Sequence, residues 1–120
     1  MDIKPKIQDA DAKRIKWKNA LEDPTVLNKN RKEAAVMVEF YEGRFDVLMD
    51  VLNTGTHNIT QKNIKIKLYE IENKIRTWNA TISNPKKLAD SGRTAAKATG
   101  LIKYFEGKQS ALHDIEKELR

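Results

Sequence analysis

Cysteine is absent, and only three prolines and five glycines interrupt the 120 residues. Without thiols the chain has no disulfide framework, no thiolate metal site and no cysteine nucleophile, and a reducing compartment suits it. Aromatic residues make up 7% of the chain, and no apolar run approaches the roughly 20 residues that a spanning helix needs. The N-terminal stretch "MDIKPKIQDADAKRIKWK" has no uninterrupted apolar core. The expectation is therefore a soluble, intracellular, cytoplasmic chain with no membrane partner.

Catalytic constellations are missing as well. There is no HExxH, ExxH, GxSxG or Walker-type GxxxxGK[ST]. His57 sits in the polar turn "TGTHNIT" and His113 near the C-terminus in "LHDIEK", and both read as surface histidines. Glu39 and Glu42 share a helix face as di-iron ligands would, but no ExxH completes the set. The residues point to a non-enzyme with no metal, no cofactor and no small-molecule substrate.

Charge and helical periodicity are what remain. Charged residues are 33% and apolar ones 39% of the chain, with net charge +6. The apolar residues come in periodic clusters, so the chain reads as folded but rich in surface. Residues 3–18 carry six basic and two acidic side chains, 62–103 carry ten and three, and 39–50 carry one and four. A partner with negative charge is one reading of that asymmetry, and solvated helix faces are the plainer one.

Within "NIKIKLYEIENKIRTWNATI" the alternation of Ile64, Ile66 and Leu68 suggests a strand, yet Ile64, Leu68, Ile71, Ile75, Trp78 and Ile82 follow steps of four and three. The longer pattern predicts a helix with Ile66 off its stripe. Asn58 or Thr60 caps its start, and Asn84-Pro85 ends it. Upstream, Ala34, Val38, Tyr41, Phe45, Leu48 and Leu52 form a similar stripe, widened by Met37 and Val51. Asp23-Pro24 reads as its N-cap and Gly55 as its left-handed stop. Gly43 lies inside it, which points to close packing by a neighbouring helix.

Downstream, Leu88, Ala95, Ala98, Ile102, Phe105, Leu112, Ile115 and Leu119 follow a drifting stripe, with a break expected at Ser91-Gly92 and one of these two capping the next helix. The N-terminal segment carries Ile15, Trp17 and Leu21 on a narrow apolar face. The prediction is one all-α domain over 1–120. It is an antiparallel bundle of three long helices (about 26–53, 60–83 and 92–119), with a short N-terminal helix (about 9–22) and a helical segment at 85–90.

Two functional readings follow. The first is a non-enzymatic helical interaction protein, acting as a homo-oligomer or on a partner protein, with Trp17 and Tyr69 as partner contacts. The second is a non-specific nucleic-acid binder using Lys13, Arg14, Lys16, Lys18, Lys62, Lys65, Arg76, Arg93 and Lys97. "SGRTAAKATG" (91–100) serves both, since its small residues admit a neighbouring helix. A helix starting at Ser91-Gly92 would also turn its free N–H groups, Arg93 and Thr94 toward a phosphate.

Overall fold

Local capping chemistry sets the helix boundaries. In the computed structural model, which describes all 120 residues, the chain forms α1 (Lys4–Glu22), α2 (Asn28–Thr54), α3 (Gln61–Ile82), α4 (Pro85–Asp90) and α5 (Ala95–Glu118), with no strand. A single 3₁₀ turn, Thr56–Asn58, lies between α2 and α3. The Thr60 side chain accepts from the Asn63 amide at the start of α3, and Asn84 accepts from the Lys86 and Lys87 amides at the start of α4. Gly55, at φ 94°, closes α2 with its amide donating to the Val51 and Leu52 carbonyls. A positive φ favours glycine there because a Cβ would crowd the backbone.

Three expected boundaries move. α1 begins at Lys4, not near Asp9, because Pro5 fits a first helical turn whose amide has no intrahelical partner. Asp23 does not cap α2: its carboxylate accepts from the Thr25 amide (2.8 Å) and hydroxyl (2.7 Å), forming a turn that delays the helix to Asn28. α5 is capped neither by Ser91 nor by Gly92 but by Thr94, whose hydroxyl accepts from the Lys97 amide.

The helices form an antiparallel bundle. Gln61 donates to the Leu119 carbonyl and Lys74 stands over Phe105, so α3 runs antiparallel to α5. Lys13 lies over Tyr41 and Arg14 over Phe45 while Ile3 and Ala10 reach the cluster around Leu48 and Val51, so α1 runs antiparallel to α2. α2 and α5 are parallel neighbours: Glu39 meets Gly100, Gly43 meets Tyr104, and Arg44 bonds Ser110 and Asp114. The packing order is α1, α2, α5, α3.

One end of the bundle holds the main core. Ile3 and Ala10 of α1's side, Val47, Leu48 and Val51 of α2, Ile64, Leu68 and Ile71 of α3, and Ala111, Leu112 and Ile115 of α5 bury one another together with Ile59. Toward the other end α2 and α5 keep only Ala34, Val38, Ala98 and Ile102 buried, while Trp17, Leu21, Trp78 and Ile82 are half-buried. Only 18 of 120 residues are buried. The accessible surface, 7714 Å², exceeds the roughly 6600 Å² of an average folded chain of this mass. The extents, 42 × 36 × 19 Å, describe a flattened body.

Two stripes differ from the sequence reading. On α2, Leu52 is exposed and Val47 is buried instead, because α2 is packed by α1 on one side and α5 on another. On α1 the inward series is Ile3, Ile7, Ala10, Arg14, Trp17 and Leu21, and Ile15 points outward. Arg14 holds its place in that series by laying its guanidinium 4.6 Å from the Phe45 ring centre and pairing with Asp11 at 2.6 Å.

Candidate interaction groove

Beyond the close crossing at Gly43 and Gly107, α2 and α5 leave a groove between their N-terminal halves. Its volume is about 690 Å³. From α2 it is lined by Lys32, Ala35, Val36 and Glu39, and from the α5 side by Arg93, Ala96, Lys97, Thr99, Gly100 and Leu101. On α2, Lys32, Ala35, Val36 and Glu39 recur at i, i+3, i+4 and i+7, the spacing that brings helical side chains onto one face; on α5, Ala96, Lys97, Gly100 and Leu101 share a face, and Arg93 lies just before the helix. Alanine and glycine in those series keep the groove open.

The groove combines apolar side chains, Ala35, Val36, Ala96 and Leu101, with charged ones. Lys32, Arg93 and Lys97 make no ion pair with any carboxylate of the chain. Arg93 is held by stacking on Trp78, 5.4 Å from guanidinium carbon to ring centre. Glu39 is the one carboxylate in the lining, beside Gly100 near the crossing. Partial burial, and then the charge of Glu42, raise its carboxyl above the ordinary glutamate value. Because α2 and α5 are parallel, both N-termini lie at this end, adding the positive ends of two helix dipoles. Segments 28–36 and 85–101 place seven cations there against two carboxylates, Glu33 and Asp90.

The nine cations singled out from the sequence do not gather in one place. Lys13, Arg14, Lys16 and Lys18 ride on α1, which packs on α2, whereas Lys62, Lys65 and Arg76 ride on α3, which packs on α5. The two sets flank the α2–α5 pair on opposite sides. Several already have internal partners: Lys13 pairs with Asp9 at 3.4 Å, Arg14 with Asp11, and Arg76 donates to Asn73. Only Arg93 and Lys97 meet at one site, the groove. Thr94, expected to face a phosphate, spends its hydroxyl as the α5 cap. Trp17 is half-buried on the inward side of α1, and Tyr69 stands out from α3 at 66% exposure beside exposed Ile66.

A second, smaller space of about 200 Å³ separates α2 from α3 above α5. Its apolar floor is Val51, Ile64, Ile71 and Leu112, and its rim mixes Asp50 and Glu70 with Lys67, Lys74 and Lys108. His57 lies in the 3₁₀ turn, and His113 stands 4.0 Å from Glu116 on exposed α5 surface. No three His, Cys, Asp or Glu side chains gather as a metal-binding group, and no helix is long and apolar enough to cross a membrane.

Sequence reasoning singled out 91–100 but missed Lys32, Ala35, Val36 and Leu101. The signal was the helical spacing Lys32-x-x-Ala35-Val36-x-x-Glu39, which a search for large apolar residues passes over. Comparison with protein-family models, curated proteins and solved structures yields no match.

Proposed function

We propose that this protein is a non-enzymatic helical interaction protein that binds a partner protein through the α2–α5 groove. The observation that carries the reading is the divergence of two parallel helices into an open, apolar-walled channel at an end of the bundle where little else is buried. Support also comes from area. The surface in excess of an average fold is about 1,100 Å², comparable to the roughly 800 Å² that one partner contributes to a standard interface.

Charge favours a different chain over a second copy. A second copy would bring another groove of three cations and a single carboxylate, a net like-charge arrangement whichever way the two grooves run, and that costs affinity. The same cations favour nucleic acid as a second reading, but no aromatic side chain lines the groove for base stacking.

A photo-crosslinking residue at Ala96, in the groove, and at Ala80, on exposed α3 surface, tests the proposal. A protein adduct at position 96, identified by mass spectrometry, missing at position 80 and lost with Leu101→Glu, supports it. Adducts at 96 that contain only nucleic acid, or only a second copy of the chain, overturn it.

A further inference from the structure

We propose that the occupant of the groove is an amphipathic helix of the partner protein whose polar face is acidic. The inference rests on the groove being a protein-binding site, and it adds the shape and charge of what binds.

Shape comes from the walls. Lys32 to Glu39 spans about 10 Å of α2, and Ala96 to Leu101 about 7 Å of α5, at 1.5 Å per residue. Two parallel helical walls, about two turns from α2 and more than one from α5, form a trough of the kind into which the ridge of a third helix packs. α1 packs on α2 and α3 packs on α5, on the flanks of the pair. The face between Ala35, Val36, Ala96 and Leu101 is open.

Charge comes from the cations that line the trough. Lys32, Arg93 and Lys97 are unpaired, and both helix N-termini add positive potential at the same end. Carboxylates on the incoming helix would complete them. Glu39 sits at the opposite end, by the crossing, so the occupant's acidic residues belong over the Lys32–Arg93 end and its apolar residues over Val36 and Leu101. A phosphate backbone would meet the cations but leave the apolar walls wet. An acidic amphipathic helix satisfies both.

The test is fluorescence anisotropy of labelled peptides with the full chain. The probe is an amphipathic helical peptide with leucines on one face and glutamates on the other. Comparators are the same peptide with lysine for glutamate, a scrambled peptide of the same composition, and a single-stranded oligonucleotide. The acidic helix binds saturably, and the basic and scrambled peptides bind about tenfold more weakly or less. Lys32→Glu with Lys97→Glu weakens the acidic helix by about tenfold, Glu39→Gln tightens it, and Lys65→Glu on α3 leaves it unchanged. All four positions are exposed or half-exposed, and circular dichroism verifies that the variants fold.

Preference for the basic peptide, with amide shifts at Val36 and Leu101, overturns the acidic occupant and leaves the partner-protein reading standing. Equal binding of the scrambled peptide overturns the helix. Failure of every probe to bind, with the Ala96 crosslink intact, overturns the acidic helix alone. Preference for the oligonucleotide, displaced by salt, overturns both.

Discussion

Gly43 of α2 faces the Tyr104 carbonyl of α5 so closely that a Cβ on the glycine would lie 2.0 Å from that oxygen. The contact is reciprocal, because a Cβ on Gly107 would lie 1.9 Å from the Phe40 carbonyl. Backbone therefore meets backbone where the two parallel helices cross. Close approach there and separation toward the N-termini are two aspects of one geometry, and the groove is its result.

Gly43→Ala and Gly107→Ala should each destabilise the protein by about 3 kcal/mol, since carbonyl oxygens cannot move aside as a flexible side chain can. Gly100→Ala is the control. Its added Cβ would meet only the Glu39 side chain, at 3.6 Å, and replacing a helical glycine favours folding by up to about 1 kcal/mol. Urea midpoints that fell equally for all three would mean that the crossing is not close-packed.

Leu68→Asp should unfold the bundle, because Leu68 is 8% exposed within the core cluster and an unpaired charge there costs several kcal/mol. Ile75→Asp, at a half-buried position against the same cluster, should be strongly destabilising too. Ile66→Asp, at 49% exposure, should leave the circular dichroism melt within about 0.5 kcal/mol of wild type. The contrast checks the rotational phase of α3, which a strand or a shifted helix would reverse.

Arg44 ties α2 to α5 through Ser110 at 2.8 Å and Asp114 at 2.9 Å, with only 12% of its side chain exposed. Arg44→Ala should cost about 2 kcal/mol, the range for a charge-assisted hydrogen bond with little solvent around the cation. Lysine should not restore it, because one ammonium does not reproduce the two-pronged geometry. A double-mutant cycle with Asp114→Ala would isolate the coupling, and additive effects would show that the pair contributes nothing.

Tyr104 donates its hydroxyl proton to Asp46. Burial first, then that bond and the charges of Asp46, Asp50 and Glu42, raise its pKa above the ordinary tyrosine value. The unfolded chain then loses the phenolic proton near pH 10 while the folded chain retains it. Stability from this group is complete below pH 10 and declines as pH rises above it. Tyr104→Phe should flatten the loss of stability above pH 10, and identical alkaline unfolding curves for the two proteins would rule the effect out.

Much of this was legible residue by residue. The steps from Ile64 to Ile82 outweigh the brief alternation at Ile64–Leu68, and α3 is a helix with Ile66 outside. Gly43 inside a helical pattern signalled a close neighbour. Asn84-Pro85 and Gly55 acted where their chemistry said they would. Asp23 and Ser91 misled because a side-chain oxygen can close a turn as readily as cap a helix, and only the path of the chain selects between the two uses. Leu52 and Ile15 misled because a helical stripe identifies a face to within a residue or two, and a helix packed on two sides shifts which residues lie inside. The groove was the least legible feature. Apart from Val36 and Leu101 its uncharged lining is alanine, threonine and glycine, which carry little hydrophobic weight in a periodic pattern.

The sequence by itself determined the helices, their approximate ends, the all-α antiparallel bundle and the excess of cations, because these follow from side-chain periodicity, capping groups and charge. Which helices are neighbours, which cations share a site and where α2 and α5 part were decided by the tertiary structure. The physical reason is that these features depend on distances between residues some sixty positions apart, such as Gly43 and Tyr104 or Lys32 and Lys97. Such distances are set by how closely two backbones pack, and no local pattern records them.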